Sequence, residues 1–271
     1  MTKIDENYRA NYGPWALVTG ASNGIGLEIA KILAAKGMNV ALVARRAQHL
    51  TEISKSLQAG FGIEARALPA DLSSKEELRA LLDQIEALDI GLYVANAGFG
   101  SSGPFAASDI SHELNMIDVN CRALTELAHP LAQTMKQRGR GGMIFLSSIV
   151  SFQGVGNSTT YAASKAYVQS FAEGLAIELG RFGVDVLSSA PGPVATGFAT
   201  RAGMQVSGAA SPVTVAKATV SALGRVRTTR PGFLSKLMGY GLAILPRRLR
   251  SRILTSVMSG MTKHRDETQK N

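Results

Sequence analysis

Tyr161 and Lys165 stand four residues apart in a stretch that reads as helix, and Ser147 and Ser148 close the apolar run before it. Residues so spaced share one helix face. A phenol with an ordinary pKa of about 10 is a reluctant base near neutrality. An ammonium beside it is expected to stabilise the phenolate and draw that pKa down. Reduction of a carbonyl needs a hydride at carbon and a proton at oxygen, so a phenol tuned this way suits proton exchange with a carbonyl or alcohol oxygen. A hydroxyl at the end of the preceding strand can hold that oxygen in place. Taken singly, a tyrosine is more often a packed amphipathic side chain and a mid-helix lysine is usually solvated, so the chemistry depends on the groups converging.

A second constellation lies near the N-terminus, where Gly20, Ser22, Asn23, Gly24, Ile25 and Gly26 follow the first apolar run. Glycine permits positive backbone dihedrals and brings no Cβ to where a diphosphate approaches. The helix that follows presents N–H groups and a partial positive charge to an anion. Between a strand and a helix, this turn points to a dinucleotide.

Apolar runs at 15–19, 39–45, 63–70 and 90–96 alternate with amphipathic stretches, and the pattern continues with a long helix near 108–138, a strand at 142–148, a helix at 158–181 and a strand at 184–190. Short apolar runs between helical patterns of this length predict βαβ units and a parallel sheet covered on both faces. No linker or low-complexity segment divides the chain. The prediction is one α/β domain over residues 1–271, a doubly wound Rossmann fold with a mostly parallel sheet of about seven strands. Ser148 then sits at the carboxyl edge of the sheet, where open α/β proteins bind ligands.

The glycine spacing, G-x-x-x-G-x-G, resembles that of the short-chain dehydrogenase/reductase family. Four further motifs follow in the family's order: Asn96-Ala97-Gly98, Ser148 thirteen residues before Tyr161, Tyr161-x-x-x-Lys165, and Pro191-Gly192 with Thr196. The resemblance covers residues 13–225 and selects Ser148 over Ser147. It implies a catalytic set of Asn120, Ser148, Tyr161 and Lys165, with Lys165 also on the nicotinamide ribose and Asn120 holding a water that links lysine to solvent; Asn115 is a nearby alternative for that asparagine. It further implies cofactor contacts from Asn96, Ala97 and Gly98 near the adenosine ribose, from Asp71 and Leu72 at the adenine edge, and from Pro191, Gly192, Val194 and Thr196 near the nicotinamide. Asp71 could equally cap the following helix.

A carboxylate at the end of the second strand would read the ribose hydroxyls and repel a 2′-phosphate. Ala44 holds that position, followed by Arg45 and Arg46. NADP is therefore expected rather than NAD, because arginine suits phosphate; either arginine could instead be a solvated helix start. Many NADP-preferring relatives carry a basic residue at position 23, where this chain has Asn23.

Residues 193–210 resemble a substrate lid, with Phe99, Ile149, Phe152, Val155 and Met204 expected to line an apolar pocket for a small lipophilic ketone or alcohol of steroid or fatty-acyl type. Ser211-Pro212 opens a new helix. Residues 230–271 then form a basic amphipathic extension, resembling a bacterial subgroup related to 17β-hydroxysteroid and 3-ketoacyl reductases. Residues 1–200 carry 16 Lys and Arg against 18 Asp and Glu, whereas residues 201–271 carry 13 against 2. The extension could lie on an anionic membrane, pack over the substrate entrance or form a subunit contact. Its apolar run at 232–245 is too short to span a bilayer.

With 45% apolar residues, 18% charged residues and one cysteine, the composition excludes a disordered chain and a disulfide scaffold. The N-terminal residues lack the apolar core of a secretory signal. A cytoplasmic enzyme is expected, with peripheral membrane contact open to it, and the family resemblance implies a homodimer or homotetramer through the long helices. Four scattered histidines give no metal-ligand spacing, and the basic segment lacks the stacking aromatics of a nucleic-acid module. A nucleotide-bound scaffold or redox sensor is the rival reading, distinguished by assaying turnover.

Overall fold

The computed structural model describes residues 6–198, 202–203 and 208–262. Strands β1 (Trp15–Thr19), β2 (Asn39–Ala44), β3 (Ala65–Pro69), β4 (Ile90–Ala95), β5 (Gly141–Leu146), β6 (Val184–Ser189) and β7 (Thr228–Thr229) form one sheet. Its order is β3-β2-β1-β4-β5-β6-β7, and every neighbouring pair is parallel. The helices are α1 (Glu6–Tyr12), α2 (Gly24–Ala35), α3 (Ala47–Phe61), α4 (Lys75–Glu86), α5 (Ile110–Ile117), α6 (Leu124–Arg138), α7 (Thr159–Gly180), α8 (Pro212–Ala222), α9 (Phe233–Gly241) and α10 (Arg247–Thr262).

Strand alternation sorts the core into two layers. Leu17, Tyr93 and Phe145 face α4, α6 and α7, where they meet Leu81, Leu127 and Val168. Ala16, Val18 and Val94 point the other way, onto Ile29 and Leu33 of α2, Leu50 of α3 and Val220 of α8. This two-sided burial explains why the strands read as continuous apolar runs. Helix starts follow local chemistry: Ser74 and Ser211 accept from the Glu77 and Thr214 amides at 3.2 and 3.1 Å, capping α4 and α8.

Sequential winding runs outward from β1 through β2 to β3, then crosses back so that β4 lies on the opposite side of β1. This reversal parts the loops at the carboxyl edge and opens a crevice between them.

The structure departs from the sequence reading in several places, of which the following bear on the site. β5 ends at Leu146, because the chain turns after it into a short 3₁₀ turn at Ile149–Phe152, so Ser147 and Ser148 lie beyond the strand. The long helix expected over 108–138 is α5 and α6 joined by a wider π-type turn at Asp118–Ala123. The seventh strand has only two residues, Thr228 and Thr229, held where Ala190 N–H donates to the Thr229 carbonyl at 2.8 Å.

Candidate active site

The turn from β1 into α2 forms one end of a cleft of about 970 Å³. Gly20 and Gly24 have φ of 66° and 61°, a region that favours glycine. A Cβ on Gly24 would lie 2.9 Å from the Thr196 methyl, so the loop after β6 rests directly on the turn. The Asn23 side chain caps α2, accepting from Gly24 N–H at 2.7 Å. Ser22, Asn23 and Ile25 line the cleft, whereas Gly26 is buried and does not. A Cβ there would fall 2.5 Å from the Gly20 carbonyl oxygen and against the Asn96 amide, so Gly26 serves close packing rather than phosphate approach.

Asn96 ties this turn to β4. Its Nδ2 donates to the Thr19 and Gly20 carbonyls at 3.0 and 3.1 Å, while the Asn96 and Ala97 amides both donate to Thr19 Oγ1 at 3.1 Å. His49, which the sequence reading left unassigned, reaches back from α3, its Nε2 lying 3.1 Å from the Ser22 carbonyl oxygen.

Arg45 and Arg46, both exposed, line the cleft beyond Ala44, and Asp71 and Leu72 line the same cleft. Asp71 is not the cap of α4; that role falls to Ser74. Asp71 Oδ1 instead accepts from the Ser73 amide and hydroxyl at 2.9 and 2.8 Å. Burial works to raise the Asp71 carboxyl, but the two bonds from Ser73 and the nearby Arg45 guanidinium hold it below the usual range.

At the other end, Ser148, Tyr161 and Lys165 converge on the same cleft. The two serines separate by direction: Ser147 Oγ donates to the Lys165 carbonyl at 3.2 Å, fastening α7 to the chain after β5, whereas the Ser148 hydroxyl meets the Tyr161 phenol. Lys165 Nζ donates to the Leu146 carbonyl at 2.7 Å. Burial pushes the Lys165 ammonium down to about 8. Burial also pushes the Tyr161 phenol up to about 12, against the opposing bond with Ser148. The expected depression of the phenol by the ammonium is therefore not found: desolvation sets the direction, and the bond with Ser148, not Lys165, is what opposes it.

Asn120 occupies the π-type turn behind the cleft wall. Its Oδ1 accepts from Phe99 N–H at 3.1 Å, and its Nδ2 donates to the Phe99 carbonyl and Ser164 Oγ, each at 3.0 Å. A Cβ on Gly98 would lie 2.8 Å from Asn120 Oδ1 and 3.4 Å from Lys165 Nζ, so glycine there admits both groups. Asn115 is exposed at the rim.

Pro191, Gly192, Val194 and Thr196 line the cleft after β6. Residues 193–195 are fixed against residue 210, with Ala195 N–H donating to the Ala210 carbonyl at 2.9 Å. Among the expected pocket residues, Phe99 and Ile149 line the cleft, but Phe152 and Val155 do not. The 3₁₀ turn carries Phe152 away to stack under the Arg230 guanidinium at 4.5 Å, and Val155 is buried in a third apolar cluster. Met204 lies outside the described residues. That third cluster includes Leu254 and Met258 of α10, so the C-terminal extension packs over the end of the cleft that holds Tyr161. Leu234, Met238 and Val257 of the same extension also line the cleft. Only their apolar character signalled this in the sequence.

A dinucleotide suits these residues: a Cβ-free turn and helix start at one end, cationic side chains beside it, and a phenol, a hydroxyl and an ammonium at the other. When bound, a nicotinamide cofactor supplies or accepts a hydride.

A family model described as short chain dehydrogenase matches residues 14–206. The chain is 35% identical over 190 residues to a 7beta-hydroxysteroid dehydrogenase of Clostridium sardiniense, covering 70% of this chain and 73% of the relative. It is 30% identical over 239 residues to a very-long-chain 3-oxoacyl-CoA reductase of Anas platyrhynchos, covering 86% and 76%. Among solved structures, a short-chain dehydrogenase from Sphingobium yanoikuyae in complex with NADPH superposes with a TM-score of 0.80 at 30% identity, covering 85% of this chain and 92% of that one.

Proposed function

Because this chain belongs to the short-chain dehydrogenase family and is an NAD(P)-dependent oxidoreductase, we propose that it transfers a hydride between NADP and a lipophilic ketone or its secondary alcohol. The reading rests on one observation: a single cleft joins the glycine turn to Ser148, Tyr161 and Lys165. In reduction Tyr161 gives its proton to the substrate oxygen, and in oxidation it takes that proton back. Ser148 holds the oxygen against the phenol. Lys165 supplies positive charge beside the site and binds the nicotinamide ribose. Asn120 fixes the loop carrying Phe99 and, beside Lys165, supports the proton path to solvent.

Preference for NADP is supported by Ala44, which removes the carboxylate that would repel a 2′-phosphate, and by Arg45 and Arg46 at the same edge. The relative from Sphingobium yanoikuyae was solved with NADPH. Phe99, Ile149, Phe198, Leu254 and Met258 make the substrate end apolar, in keeping with a hydroxysteroid dehydrogenase and a 3-oxoacyl-CoA reductase among the relatives. Self-association through the long helices is supported by exposed Ile110, Leu114, Ile117 and Ile177 on α5 and α7.

Steroid ketones, 3-oxoacyl thioesters and small polar ketones, each offered with NADPH and with NADH, test the reading through nicotinamide absorbance. Turnover is expected with NADPH on the apolar ketones. No turnover with either cofactor, or preference for polar ketones, overturns it.

A further inference from the structure

α9 is apolar on two sides. Its inner side is fastened to the body, with Ser235 Oγ donating to the Ala190 carbonyl at 2.9 Å and Met238 and Leu242 packed on the third apolar cluster. Its outer side carries Phe233, Leu237 and Tyr240, and the turn that follows adds Ile244; these are 83%, 59%, 62% and 85% exposed. Intervals of four and three residues place Phe233, Leu237 and Tyr240 on one helical stripe, and Ile244 follows in the turn beyond it. A single exposed phenylalanine needs no explanation, but three large apolar side chains on one helix face with a fourth exposed just beyond its end mark an interaction surface.

Charge identifies the partner. From residue 186 to residue 265 the chain contains no aspartate or glutamate but twelve lysines and arginines. Lys236 interrupts the stripe, and Arg247, Arg248 and Arg252 follow it on α10, all four exposed. A second copy meeting this face about a two-fold axis would set cation against cation with no acid from residues 186–265 of either copy to pair them. An anionic lipid surface supplies the missing charge and accepts the apolar stripe.

We propose that the outer face of α9 and the basic start of α10 dock on an anionic bilayer. Phe233, Leu237, Tyr240 and Ile244 enter the headgroup boundary, and Lys236, Arg247, Arg248 and Arg252 meet headgroup phosphates. No helix among the described residues is long and apolar enough to cross a membrane, so the contact lies in the plane of the interface. The inner sides of the same two helices contribute Leu234, Met238, Leu254 and Met258 to the cleft. Docking therefore brings the apolar end of the cleft toward the lipid, a route for substrate that rests on the lipophilic reading above.

The full chain, incubated with vesicles of phosphatidylcholine alone or with roughly one third phosphatidylglycerol, tests this by co-sedimentation. Binding to the anionic vesicles is expected to be about tenfold tighter or more, and to weaken as salt rises. Phe233→Ser with Ile244→Ser should lower it about tenfold while leaving NADPH-dependent turnover of a water-soluble ketone unchanged. Arg247→Gln, Arg248→Gln and Arg252→Gln together should erase the difference between the two vesicles. Failure to bind anionic vesicles, or variants that bind as the parent does, overturns the proposal. So does a fall in oligomeric state caused by the serine variants, which would assign the stripe to a second copy. Absence of ketone turnover in every protein would instead count against the enzymatic reading and leave the vesicle result standing.

Discussion

Lys165 donates to the Leu146 carbonyl at 2.7 Å, so the buried ammonium is anchored at the carboxyl end of β5 inside the cleft that also holds the Tyr161 phenol. Burial lowers its pKa from 10.5 to about 8. Between these values the unfolded chain binds more protons than the native one, so stability from this group rises with pH. Cys121, raised from 9.0 to about 11, and Tyr161, raised from 10.0 to about 12, act in the opposite sense above their ordinary values. The rise should therefore be clearest from about pH 8 to about pH 9, with a slope of up to about 1.4 kcal/mol per pH unit. Lys165→Met should remove it, as thermal or denaturant unfolding across that window will show, and should cut turnover by about a hundredfold or more.

Tyr161→Phe keeps the ring against Phe198, whose centroid lies 5.4 Å away, and deletes only the hydroxyl. Turnover should fall by about 10²–10⁴-fold, while dinucleotide binding, followed by fluorescence, stays measurable. An unchanged kcat would reject the phenol as proton donor. Since the phenol holds its proton up to about 12 in the protein alone, alcohol oxidation should accelerate from about pH 7 to about pH 10, whereas ketone reduction should not.

Ala44→Asp places a carboxylate at the end of β2, beside Arg45. The ratio of kcat/KM for NADPH to that for NADH should drop about tenfold or more, since a 2′-phosphate would meet like charge. A ratio that does not move would refute the role given to this edge.

Asn120→Ala strands the Phe99 N–H and carbonyl, whereas Ser164 Oγ keeps its bond to the Tyr161 carbonyl. Each buried polar group left unpaired costs about 1–3 kcal/mol. The variant should unfold at lower denaturant concentration, and loosening of Phe99 should raise KM for substrate more than KM for cofactor. Asn115→Ala, at the exposed rim, should do neither.

What was legible in the sequence follows from what sets each element. β1 to β6 announce themselves because burial on both faces demands unbroken apolar residues. β7 has two threonines and no periodicity to read, and α1 is a short polar helix recognised only by where it packs: Tyr12 donates to Asp185 Oδ2 at 2.8 Å. The motif residues could be located because their spacing is dictated by one helix turn or one strand end. Phe152 and Val155 could not be placed that way, since proximity in sequence to Ser148 says nothing of where a 3₁₀ turn aims its side chains. Leu254 and Met258 lie about a hundred residues from the site in sequence, and only tertiary packing brings them to it.

The π-type turn at Asp118–Ala123 gives the helix pair one residue more than regular winding would need. The surplus lets Asn120 face the loop after β4 while Leu124 and Leu127, a turn further on, still meet the sheet. Shortening the chain by one residue here would rotate whatever follows by about 100° and force a choice between these two allegiances. Deletions within this hexapeptide should therefore be more damaging still than Asn120→Ala, because they displace every residue that follows rather than one amide.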